Sequence, residues 1–222
     1  LWRYTVNKEL NNRIISSIIL IPVSLFFIIQ GSFIFNLFLI IFFLISLYEW
    51  ITMTLKKKYK IIGLIFILFS FYSIYNVRHS LDGEYNYLLF ILIICVGTDI
   101  GGFIFGRILK GPKLTKISPK KTYSGILGSY LLSTIFTLIY FKIINISYSG
   151  TQILEILLYV FLISTVSQLG DLIISFFKRI SNIKDTGKII PGHGGVLDRI
   201  DGMIFAFPFS YLLIINDILY LF

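Results

Sequence analysis

Seven stretches of this sequence are long and apolar enough to cross a lipid bilayer, and no other feature constrains its fold as much. A membrane-spanning helix needs about 20 predominantly apolar residues, with ~17–25 tolerated. The runs are Ile14–Gln30, Phe33–Leu55, Ile61–Val77, Tyr87–Gly106, Gly125–Ile144, Ile153–Phe177 and Gly202–Leu221. Composition excludes a soluble domain: 56% of residues are hydrophobic, 14% are charged and the mean hydropathy is +0.87. The expected fold class is therefore all-α, a polytopic integral membrane protein of about seven transmembrane helices. Arg3, Lys8 and Arg13 precede the first run in the manner of a signal peptide. No small-residue cleavage site follows and further spans come after, so a retained helix is expected. The one cysteine, Cys95, lies in an apolar run and excludes a disulfide framework.

Orientation follows from the cations. Of 20 Lys and Arg residues, all but Arg78 and Lys142 fall on one side of a strictly alternating seven-span chain. Cytoplasmic segments carry the excess of Lys and Arg, so the N-terminus is expected in the cytoplasm. For the Lys56–Lys60 run this rule is explanation enough. A face this basic also suits anionic headgroups or nucleotide phosphates.

Carboxylates stand where lipid should be. Asp99 lies eight residues before Arg107, and Asp171 seven before Lys178. At the helical rise those offsets are ~12 Å and ~10 Å below the cytoplasmic boundary. Asp198 and Asp201 open the last run. A carboxylate facing lipid costs a few kcal/mol even on insertion-based scales, so these groups must face one another, water or a cation. Asp198 and Asp201 are three apart and are expected on one helix face. Asp171, Ser175 and Lys178 are spaced to align on another. Such an oxygen-rich set suits Mg²⁺ shared with phosphates better than zinc, because His193 is the only nitrogen ligand nearby.

Between these groups runs a cationic loop with Lys178, Arg179, Lys184 and Lys188, then a turn of Pro191-Gly192-His193-Gly194-Gly195. Glycines allow close backbone approach to a ligand, and the N–H groups opening the next helix favour an anion. Together they describe a triphosphate site. A second loop supplies Ser118-Pro119-Lys120-Lys121-Thr122. Ser118 reads as an N-cap with Pro119 in the first helical position, and the paired lysines as contacts for a phosphate. Glu49 beside Trp50 reads as interfacial and His79 as solvated. Neither these nor Glu155 and Asp217 are assigned a role.

At these residues the sequence resembles the CDP-diacylglycerol synthases, or phosphatidate cytidylyltransferases. The resemblance rests on Ser175, Lys178-Arg179, Lys184-Asp185, Pro191 to Gly195 and Asp198-Arg199-Ile200-Asp201, in unbroken order. Gly170-Asp171-Leu172, Asp99 with Gly106-Arg107, and the Ser-Pro-Lys-Lys-Thr stretch also match. It covers roughly Asp99 to Gly202, and the N-terminal spans match only in apolar character. Two positions depart: Gly102-Phe103 stands where many members have Ala-Tyr, and Ser124 where many have Glu.

The resemblance implies condensation of CTP with phosphatidate to CDP-diacylglycerol and pyrophosphate. It implies Asp171, Asp198 and Asp201 as ligands of Mg²⁺, with a second cation left open. Lys178 and Arg199 would act with them on the phosphates. Ser175, Arg179, Lys184, Asp185, His193, Gly194, Gly195, Ser118, Lys120, Lys121 and Asp99 would bind substrate. Residues 1–222 read as one transmembrane domain, with N-terminal spans over about 14–77 and a catalytic part over about 87–222. The expected partners are CTP, phosphatidate and the bilayer, with no nucleic acid, and a homodimer is left open. The expected location is a bacterial inner membrane with the site facing the cytoplasm. The rival readings are a CTP-dependent lipid kinase and a cation or proton transporter.

Overall fold

The computed structural model describes residues 22–55, 57–79, 85–115, 118–119, 121–146, 149–190, 194–216 and 218–219. Helix α1 covers residues 22–30. It is followed by α2 (Ser32–Thr54), α3 (Lys60–His79), α4 (Asn86–Leu109), α5 (Tyr123–Ile143), α6 (Gly150–Ile180), α7 (Leu197–Ile200) and α8 (Met203–Ile215). Among the described residues the only β pairings are two isolated bridges, Lys113 with Thr122 and Ile190 with Gly194. The chain is an all-helical integral membrane protein. Among the described residues five helices, α2 to α6, are long and apolar enough to cross a membrane.

The apolar runs and the helices agree closely in the middle of the chain and differ at its ends. Residues 14–21 of the first expected span lie outside the described residues. Gly31 separates α1 from α2 at φ 62° and ψ −148°, a conformation that is essentially restricted to glycine. Helix α6 is longer than its apolar run. Its 31 residues give ~46 Å of helix, more than the ~30 Å hydrocarbon core. Helix α8 is shorter than the expected Gly202–Leu221, with 13 residues that include Pro208. It closes at Asn216, whose side-chain amide donates to the Leu212 carbonyl at 2.7 Å.

The chain forms two compact units, one of residues 1–75 and 178–200, the other of residues 76–177 and 201–222. In the first, α1 and α2 are joined by stacked Phe27 and Phe38, with centroids 4.9 Å apart. Trp50 is 3% exposed and donates from Nε1 to the Lys60 carbonyl at 3.0 Å, fixing the α2–α3 turn. A side chain at Gly63 would strike the Trp50 indole, so the glycine makes room for it. Lys57 Nζ reaches the Ile180 carbonyl at 3.3 Å, and the Tyr59 hydroxyl reaches Ser181 at 3.4 Å. The α2–α3 turn is thereby tied to the chain leaving α6.

In the second unit α4 and α5 pack backbone to backbone through small residues. A Cβ on Gly97 would lie 2.7 Å from the Ser133 Cα, and one on Gly101 would strike the Gly128 carbonyl. Lipid offers no hydrophobic drive for helix pairing, so close van der Waals approach and interhelical hydrogen bonds supply the association. Ser129 donates to the Thr98 carbonyl at 2.7 Å, and Thr98 to Ser164 on α6 at 2.8 Å. Phe90 and Phe141 stack at 5.6 Å. Where α8 begins, a Cβ on Gly170 would lie 2.9 Å from the Asp201 carbonyl, and one on Gly202 would strike the Ser167 hydroxyl.

Candidate active site

The loop leaving α6 is built around carboxylates. At Lys178 the helix is ending, and Ile183 donates its amide back to the Lys178 carbonyl at 3.0 Å. The chain then turns through residues 184–190 and closes on itself where Ile190 and Gly194 exchange backbone hydrogen bonds of 2.9 and 3.2 Å. Gly194 has φ +90°, which glycine adopts without steric cost. Asp198, in the single turn α7, faces back into this loop. Its Oδ1 accepts from Lys178 Nζ at 2.8 Å. Its Oδ2 accepts from the amides of Thr186 at 2.8 Å and Gly195 at 3.0 Å. The pair is enclosed, with Lys178 11% and Asp198 4% exposed.

A residue that carried no assigned role completes the loop. Glu49 on α2 is 1% exposed. Its Oε1 accepts from the Val196 amide at 2.9 Å, and its Oε2 from the Leu197 amide at 2.8 Å and the Thr186 hydroxyl at 2.9 Å. The sequence places these amides where an anion belongs, and the anion they hold is the protein's own. A Cβ on Gly195 would strike both the Thr186 hydroxyl and the Glu49 carboxylate. The Gly194-Gly195 pair thus admits internal carboxylates. Glu49 is thus enclosed by protein at the end of its span. A lone glutamate in an apolar helix was the available signal, and its partners lie too far along the chain to be read from it.

In the second unit Asp171 sits between a cation and a hydroxyl. Its Oδ2 is 2.7 Å from Lys121 Nζ, and its Oδ1 accepts from the Ser175 hydroxyl at 3.2 Å. Lys121 is 24% and Asp171 30% exposed, and Lys121 also donates to the Gln168 carbonyl at 3.3 Å. The four-residue spacing of Asp171 and Ser175 therefore puts them on one face, as expected, and the Lys-Lys-Thr loop reaches it. Gly170, just before Asp171, lets the Asp201 backbone approach this turn of α6. Asp201 Oδ1 accepts from the Gly202 amide at 2.9 Å.

Two expectations are corrected. Asp198 and Asp201 do not share a continuous helix, because α7 ends at Ile200 and Asp201 with Gly202 forms the turn before α8. Nor is Ser118 the cap of α5. Thr122 is, in extended backbone and accepting from the Gly125 amide at 3.1 Å. Ser118 and Pro119 lie in the hairpin-like loop closed by the Lys113–Thr122 bridge. There the Lys121 amide donates to the Ser118 carbonyl at 3.0 Å, and the Ser118 amide to Thr115 Oγ1 at 3.2 Å. Ser124, one of the departures noted above, accepts from the Gly111 amide at 3.2 Å.

The remaining expected residues are exposed or lie outside the described residues. Asp99 is exposed on α4, as are Arg179, Lys184, Asp185 and Arg199 in and after the α6 terminus. Arg179 Nη1 donates to the Ile183 carbonyl at 3.4 Å. Lys120 and His193 lie outside the described residues. Among the described residues no three His, Cys, Asp or Glu side chains are gathered as a metal-binding group.

An all-helical membrane protein with lysine–carboxylate pairs and a cationic glycine-turn loop is the class these features define. The chain belongs to the cytidylyltransferase family, whose sequence profile matches residues 61–216. It is 38% identical over 211 residues to a phosphatidate cytidylyltransferase of Rickettsia bellii, covering 90% of this chain and 89% of that one. A protein of the same name from Rickettsia typhi is 37% identical, over 88% of each chain. One from Staphylococcus saprophyticus is 34% identical over 74% of this chain and 64% of its own.

Proposed function

We propose that this protein transfers the cytidylyl group of CTP to phosphatidate, releasing pyrophosphate and forming CDP-diacylglycerol for phospholipid synthesis. What carries this reading is the likeness to phosphatidate cytidylyltransferases along nine-tenths of the chain, with the whole motif from Asp171 to Asp201 present. In the reaction a phosphatidate phosphate oxygen forms a bond to the α-phosphorus of CTP. The bond from that phosphorus to the α,β-bridging oxygen breaks, and pyrophosphate leaves with the electron pair. Phosphatidate is already an anion at neutral pH, so no general base is needed. The barrier is mutual repulsion and alignment of two anions, which positioning and fixed positive charge lower.

Lys121 and Lys178 are suited to that work. Each is held against a carboxylate, at 2.7 and 2.8 Å, so its ammonium is fixed before any phosphate arrives. A phosphate then meets a donor whose side-chain entropy is already spent. Arg179, Lys184 and Arg199, exposed on the same loop and the turn after it, add charge for the triphosphate, and His193 with the glycine turn lines the nucleotide. Lys120, Lys121 and Ser118 contribute to the phosphate of phosphatidate or to the departing pyrophosphate.

We assign Asp171, Asp198 and Asp201 to a divalent cation, with Mg²⁺ the best match to an all-oxygen donor set. A carboxylate offers about four acceptor positions. Asp171 spends two of them and Asp198 three on protein donors, so each retains capacity. When bound, such an ion offsets triphosphate charge in the transition state. The site faces the cytoplasm, as the one-sided distribution of Lys and Arg supports, and in a bacterium the membrane is the inner one.

Purified protein in detergent with phosphatidate and α-³²P-labelled CTP tests the reading. Label should move into lipid with Mg²⁺ and cease when the metal is chelated. Transfer that survives chelation removes the metal assignment. Label entering lipid only from γ-³²P-labelled CTP and a lipid alcohol replaces the transferase with a kinase.

A further inference from the structure

We propose that Glu49 is a positioning residue of the nucleotide-binding loop, a carboxylate on an N-terminal span that holds the glycine turn and the Lys178–Asp198 pair in working geometry. The proposal rests on the reading that this loop holds CTP. Glu49 lies before the stretch matched by the family profile, residues 61–216, and outside the motif that carries the resemblance.

Burial sets the question. A carboxylate that is 1% exposed in an apolar helix is costly unless hydrogen-bonded or paired. Among the described residues Glu49 makes no ion pair. Its three donors are the Thr186 hydroxyl and the Val196 and Leu197 amides, all from one loop, so the helix and the loop stabilise each other. The loop is shaped to admit it. A Cβ on Gly187 would lie 2.5 Å from Glu49 Oε1, and one on Gly195 would strike the carboxylate.

The same segment then braces Asp198. Thr186 gives its hydroxyl to Glu49 and its amide to Asp198 Oδ2. Gly195 gives its amide to Asp198 Oδ2, and the next two amides go to Glu49. Asp198 in turn fixes Lys178. A displacement at Glu49 therefore propagates through Thr186 and residues 195–197 to the lysine. Glu49 is too enclosed to touch substrate, so its effect is indirect.

Glu49→Gln isolates the effect with little change in volume. Whichever way its amide is turned, a donor replaces an acceptor opposite Val196 or opposite Leu197 and Thr186. The loss of one such buried bond corresponds to about tenfold in an equilibrium. In the full-length protein in detergent, KM for CTP should therefore rise about tenfold while KM for phosphatidate stays within about twofold. Hydrogen exchange in peptides covering residues 194–199 should quicken by a similar factor, and Glu49→Asp should recover part of both. Thr186→Val, which removes one side-chain bond, supplies a milder variant with the same pattern if Glu49→Gln does not fold. Exchange at the wild-type rate, or faster exchange with both KM values unchanged, overturns the proposal. If the wild-type protein transfers no cytidylyl group, the proposed function fails on its own. Protection of residues 194–199 by CTP then decides this inference. Protection in wild type that is weakened in Glu49→Gln supports it, and its absence in wild type overturns it.

Discussion

Asp198 does two jobs with two oxygens, neutralising Lys178 and tying down two amides. Because both partners are nearly enclosed, removing one strands the other. Breaking a buried pair by deleting one side costs ~3–5 kcal/mol, far above the value of an exposed ion pair. Asp198→Ala should therefore lower stability by about that amount in an unfolding titration in mixed micelles. Lys178→Met should cost less, since Asp198 keeps its two amide bonds. Added to Asp198→Ala, the Lys178 change should cost less still, because it removes an already unpaired cation. Additive losses would mean the pair contributes no coupling.

At the scale of elements, α4 and α5 are joined by contacts too close for any side chain. A Cβ on Gly101 would overlap the Gly128 carbonyl and lie 2.9 Å from the Ser129 Cα, and both are backbone. Gly101→Ala should thus force the helices apart, with an overpacking cost of about 1–3 kcal/mol and a lower Tm in detergent. Gly150, with nothing within 4 Å of its Cβ position, is the matched control, and its alanine variant should melt like wild type. An unchanged Tm for Gly101→Ala would show that the interface has slack. The helices themselves were legible because twenty apolar residues in a row admit few structures in lipid. Their caps were not. Ser118 and Thr122 are both good capping residues, and the Lys113–Thr122 bridge decided between them. The shared face of Asp198 and Asp201 failed for a similar reason, since periodicity does not reveal that α7 is a single turn of four residues.

For the whole molecule, the charge distribution predicts a topology. With Lys58→Cys and Asn145→Cys made singly, an impermeant maleimide should label the first only from the cytoplasmic side and the second only from the opposite side. Native Cys95, fully buried, should stay silent. Labelling of both from one side would break the strict alternation on which the orientation rests.

By itself the sequence determined the class of fold and the family. Each rests on local information: apolar run length and a motif read within about a hundred residues. It also determined one piece of site geometry, the Asp171–Ser175 contact, because four residues is one helical step. Tertiary structure alone decided which donors each carboxylate holds. Lys121 meets Asp171 and Lys178 meets Asp198 across loops whose path no periodicity encodes. Glu49 is the extreme case. Its three donors stand 137, 147 and 148 residues away, and only folding shows that a glutamate in an N-terminal span closes the loop of a C-terminal motif.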